Sequence, residues 1–98
     1  MYIVREIFQL KFGHFRDAKA LFEEAIQKEL VPQSKSLRIL SDFTGDSYRL
    51  IAESSYDTLN EFEKSLQKDM NQAAFQIWYT KFKEHVVSNH REILKVVM

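Results

Sequence analysis

Residues 37 to 54, LRILSDFTGDSYRLIAES, alternate apolar and polar side chains in two runs that flank Gly45-Asp46. Alternation of this kind on either side of a turn dipeptide predicts an antiparallel hairpin, because glycine takes positive φ freely and aspartate tolerates it. Counting outward from a turn centred on Gly45 and Asp46 sets Phe43 opposite Tyr48. One side of the ribbon then pairs Asp42 with Arg49, Leu40 with Ile51 and Arg38 with Glu53. The other pairs Phe43 with Tyr48, Ser41 with Leu50, Ile39 with Ala52 and Leu37 with Ser54. Both charge pairs come out with opposite signs. A four-residue loop from Thr44 to Ser47 gives the same pairing, and a slip of one residue would turn Phe43, Ile39 and Leu50 to the wrong face.

The same period of two runs through residues 2 to 11, with Tyr2, Val4, Phe8 and Leu10 on one face and Ile3, Ile7 and Gln9 on the other. Arg5 and Glu6 interrupt one face each, and Glu6, on the more apolar face, demands a partner. After Gly13 the spacing turns helical. Phe15, Ala18, Phe22, Ala25, Ile26 and Leu30 recur at three and four, Asp17 sits in the first turn and Lys28 in the last, and Val31-Pro32 is predicted to end the helix. A second helix opens with capping-box spacing at Thr58 and Glu61 and carries Leu59, Phe62 and Leu66 inward. Asp69 and Gln72 repeat that signature, and the stripe restarts as Phe75, Trp78, Phe82 and Val86, which predicts a break near residues 68 to 71. Ser88-Asn89 interrupts the period, and residues 90 to 97 read as a last strand.

Strand, helix, strand, strand, helix, strand is the order of an α+β, ferredoxin-like βαββαβ fold, a four-stranded antiparallel sheet with its helices on one face. The helices are expected over Leu37, Ile39, Phe43, Leu50 and Ala52. Leu40 and Ile51, flanked by Arg38, Asp42, Arg49 and Glu53 and joined by Ile3 and Ile7, are left on the open side. An apolar patch there marks an interface or a ligand groove. Two such sheets packed face to face in a homodimer would bury it and close a cavity between them.

Composition narrows the picture. Ninety-eight residues, 45% hydrophobic, suit a single domain spanning 1–98. Fourteen basic and fourteen acidic residues leave no net charge, which removes the usual signature of a nucleic-acid or membrane-surface binder. With no cysteine there is neither a disulfide nor a thiolate nucleophile. The N-terminal stretch carries charges and reads as a strand, and no run reaches membrane-spanning length, so a cytoplasmic location is the default expectation.

Several segments resemble the dimeric α/β-barrel superfamily, in particular short members near the antibiotic-biosynthesis monooxygenase and NIPSNAP-like groups. They are Leu10-Lys11-Phe12-Gly13, close to an "LKPG" strand ending with Phe12 in place of proline; residues 38 to 45, RILSDFTG; and residues 56 to 62, YDTLNEF. To these are added a helix opened by Asp69 that bears Phe75 and Trp78, and the closing Arg91-Glu92-Ile93. The resemblance implies the fold and a homodimeric α/β barrel. It implies no fixed chemistry, because the superfamily contains cofactor-free monooxygenases, haem-degrading enzymes, isomerases and proteins of unknown role. Haem-degrading members use an Asn on the first strand with a Trp and a His. Here Trp78 and His85 are present, but no Asn occurs before residue 60.

The candidate ligand-binding residues are therefore Arg38, Leu40, Asp42, Arg49, Ile51 and Glu53 of the hairpin, with Trp78. An arginine in a dimer cavity would anchor a carboxylate or phenolate, and Glu53 or Asp42 would serve as a base. Alternatively the four charged residues form cross-strand ion pairs at a dimer contact. No catalytic residue is assigned. His14, His85 and His90 are too scattered for a metal site, and no cofactor is indicated. The chain reads as an uncharacterised homodimer that binds a small hydrophobic or aromatic ligand in the cavity between its two sheets. The alternative is a cofactor-independent monooxygenase acting on a phenolic or polycyclic substrate.

Overall fold

A computed structural model describes residues 1–31, 36–70 and 72–98, with the side chains of Asp69 and Met70 left out. Strand β1 (Tyr2–Leu10) is followed by α1 (Phe15–Gln27), β2 (Arg38–Ser41), β3 (Arg49–Tyr56), α2 (Leu59–Met70), α3 (Ala73–Phe82), a 3-10 turn (Lys83–His85) and β4 (Val86–Lys95). The strands form one antiparallel sheet in the order β2-β3-β1-β4, the ferredoxin-like arrangement. β1, flanked on both sides, has its even positions toward the helices. Val4 and Leu10 are fully covered there, each contributing roughly 2 kcal/mol of apolar burial.

The hairpin register is as the alternation demands: Arg38 faces Glu53, Ile39 faces Ala52, Leu40 faces Ile51 and Ser41 faces Leu50. Its tip is different. β2 stops at Ser41, and the connection to Arg49 is a longer loop in which Gly45, Ser47 and Tyr48 take positive φ. Phe43, expected beneath the helices opposite Tyr48, is fully exposed instead. Once the strand has ended, alternation no longer dictates where a side chain points.

Three helix and strand ends also depart from the sequence pattern. α1 stops at Gln27, short of Val31-Pro32, because Glu29 adopts φ +55. The Leu30 N–H then reaches the Ala25 carbonyl (2.8 Å) and the Glu29 N–H reaches Ile26 (3.1 Å), a Schellman stop. Pro32 lies outside the described residues. α2 begins as predicted, with the Glu61 N–H donating to Thr58 Oγ1 (3.2 Å). α3 has Gln72, not Asp69, at its N-cap, and Asn71, inside the predicted break, lies outside the described residues. β4 starts at Val86, four residues early, because pairing with β1 holds Ser88 and Asn89 in the ladder despite their preference for turns.

The core lies between the sheet and α1 and α3. Leu50, Phe82 and Val4 are essentially sealed, and Phe22 and Trp78 nearly so. Trp78 stacks on Phe82 (4.9 Å between ring centroids), while Phe8 meets Phe82 edge-on at 5.0 Å. Trp78 Nε1 donates to the Leu21 carbonyl (2.7 Å), so the indole bridges α3 to α1 without an unpaired polar atom.

Candidate functional site

Alternation along the strands divides the candidate residues between two faces. On the open face, one row crosses all four strands as Arg38, Glu53, Arg5 and Glu92, with charge alternating at every step. Glu53 is buried, at 6% exposure, and is held by Arg5 Nε (2.8 Å to Oε2) and by Arg38 on its other oxygen. Hydrogen bonds from Arg38 and then Arg5 hold its carboxyl below the ordinary glutamate range. The next row is apolar: Leu40, Ile51 and Ile7, ending at His90. Beyond it, Arg49 grips Asp42 through Nε (2.9 Å) and Nη2 (2.8 Å), both to Oδ1. The two predicted charge pairs therefore exist, with Arg5 as an unforeseen third cation.

Trp78 lies on the other face. It lines a cavity of about 320 Å³ between the sheet and the helices, together with Val4, Phe8, Phe22, Phe62, Leu66, Phe75 and Phe82. A volume of that size suits a small organic ligand. None of the six hairpin candidates lines this cavity; the hairpin contributes Leu37, Ala52 and Ser54.

Its polar features are Glu6, Ser54, Tyr56, Gln76, Tyr79, Asn89 and Arg91. Glu6 and Arg91 face each other across the β1–β4 ladder, and Arg91 Nε donates to Glu6 Oε1. This is the partner that Glu6 required. Burial pushes the Glu6 carboxyl above its ordinary range, opposed in part by the Arg91 hydrogen bond and charge. The Arg91 guanidinium also lies over the Phe62 ring (5.1 Å to its centroid), and Phe62 meets Tyr56 edge-on at 5.4 Å. α2, which carries Phe62, thus docks against the polar pair.

Sequence reasoning marked Glu6 as a charge in need of a partner and Arg91 as part of a motif, but placed neither at a site. Joining them requires the β1–β4 register, which no local pattern encodes. The histidines also behave differently than their spacing implied: His14 and His85 come together, Nδ1 to Nδ1 at 2.9 Å. His85 does not line the cavity. No three His, Asp or Glu side chains converge as a metal-binding group among the described residues. No helix among them is long and apolar enough to cross a membrane.

No known family profile matches the chain, and no curated protein sequence is similar to it. Solved structures are similar. An uncharacterised NIPSNAP domain protein from Burkholderia xenovorans superposes with a TM-score of 0.86 at 10% identity, covering 99% of this chain and 95% of that one. A NIPSNAP family protein from Agrobacterium tumefaciens gives 0.80 at 20% identity, over 97% and 92%. A structure described as an antibiotic biosynthesis monooxygenase gives 0.73 at 13% identity over the whole of both chains. The chain thus has the ferredoxin-like fold common to these proteins, the two groups that its sequence resembles.

Proposed function

We propose that this protein is a homodimer whose subunits meet through the open sheet face, each binding a small, largely apolar ligand between its own sheet and helices. The aromatic-lined cavity carries this reading: about 320 Å³ with one ion pair in its wall. In this reading Trp78 is a ligand contact, and the six hairpin residues serve the dimer. Leu40 and Ile51 supply a half-buried apolar centre, and the row of alternating charges around them fixes how two copies register. The test is native mass spectrometry of the purified protein, which reports subunit number and co-purified ligand together. A monomer with no affinity for apolar molecules overturns the proposal.

A second reading, a cofactor-independent monooxygenase acting on a phenolic or polycyclic aromatic substrate, is favoured by one observation. Glu6, its carboxyl raised by burial and hydrogen-bonded to Arg91, would serve as the base for a phenol whose anion the arginine would stabilise. Oxygen uptake with 1-naphthol, abolished in Glu6→Gln, supports it, and its absence in the wild type removes it.

A further inference from the structure

The Glu6–Arg91 pair leaves most of its hydrogen-bonding capacity unused. A guanidinium carries five N–H donors and a carboxylate about four acceptor positions. Here the bond runs from Nε to Oε1, and no other hydrogen bond to either side chain occurs among the described residues. Neither group is sealed, at 38% and 23% side-chain exposure. They are also the only charged groups among the described residues lining the cavity.

This arrangement selects by chemistry. A carboxylate approaching Arg91 meets the like charge of Glu6, and an ammonium approaching Glu6 meets Arg91. A pure hydrocarbon leaves donor and acceptor to whatever water remains. A head group that presents a carbonyl acceptor beside an N–H donor, without net charge, answers both at once. The Phe62 ring, its centroid 5.1 Å from the guanidinium carbon, flanks the place where that head would lie.

We propose that the ligand carries an uncharged carboxamide head seated on the Glu6–Arg91 pair, with its apolar body against Phe62 and Trp78. This rests on the cavity being the ligand site, and the experiment separates the two claims. Trp78, the single tryptophan of the chain, lines the cavity and reports occupancy by its fluorescence. The full-length protein is titrated at pH 7.5 with butylbenzene, 4-butylbenzamide and 4-butylbenzoate.

The benzamide is expected to bind about tenfold more tightly than the hydrocarbon, a modest net gain from two hydrogen bonds, and more tightly than the benzoate. In Glu6→Leu/Arg91→Leu that advantage disappears while butylbenzene still binds. Arg91→Lys, which keeps the charge but not the planar fork, is expected to lose most of it too, and covers the case in which the double variant does not fold. Equal binding of benzamide and hydrocarbon to the wild type overturns the carboxamide proposal alone. So does tighter binding of the benzoate, or an amide advantage that survives in the folded variants. Failure of butylbenzene to bind the wild type overturns the cavity reading and this inference with it.

Discussion

His14 and His85, 71 positions apart in the chain, share a hydrogen bond between their Nδ1 atoms. One ring must donate and the other accept, so the contact fixes a tautomer at each and ties the start of α1 to the turn that precedes β4. A double-mutant cycle with His14→Ala and His85→Ala is expected to give a coupling energy of about 1 kcal/mol in urea denaturation. A coupling near zero would show that the contact adds nothing to stability.

The two glutamates with shifted carboxyls predict opposite pH slopes. Glu53 is lowered, so its stabilisation is present above the ordinary glutamate value of 4.5 and is lost as pH falls through its lower folded value. The stability gap between wild type and Glu53→Gln should therefore shrink as pH falls from 4.5 through that value.

Glu6 is raised, so the folded state favours its protonated form. Its relative contribution is present below 4.5 and is lost as pH rises through the higher folded value. The stability of wild type relative to Glu6→Gln should fall as pH rises from 4.5 through that higher value. Urea midpoints measured from well below 4.5 up to neutral pH check both slopes.

Glu29 sits at φ +55 at the end of α1, where a side chain is strained and glycine is not. Glu29→Gly is expected to stabilise the fold by about 1 kcal/mol, read as a higher melting temperature. No gain would mean that the Glu29 side chain offsets the strain.

Removing Arg38 and Arg49 together tests the assignment of the open face. Arg38→Ala/Arg49→Ala leaves Glu53 with Arg5 alone and deprives Asp42 of its partner. Dissociation to monomer, with butylbenzene binding retained, is the expected outcome by native mass spectrometry and Trp78 fluorescence. Loss of ligand binding in an intact dimer would return the hairpin to the ligand site.

Element order and hairpin register were legible in the sequence because both follow from alternation and from the opposite signs of paired charges. The tip was not. Ser47 and Tyr48 at positive φ carry no local signal of the kind glycine provides, so alternation alone predicts a shorter loop and turns Phe43 toward the core. The start of β4 failed for a related reason, since Ser88 and Asn89 are poor strand formers held by the neighbouring strand. At the site, the need of Glu6 for a partner was readable, but the identity of that partner depended on a pairing across 85 positions.

β1 runs through the middle of the sheet, and its neighbouring residues face opposite ways. Val4, Glu6 and Phe8 line the cavity, while Ile3, Arg5 and Ile7 share the open face with the hairpin. If the proposed function holds, a systematic scan of substitutions along this strand reads as a two-tone barcode, even positions altering ligand affinity and odd positions altering subunit association. A slip of the whole strand by one residue against its two neighbours would exchange the two sets at a stroke.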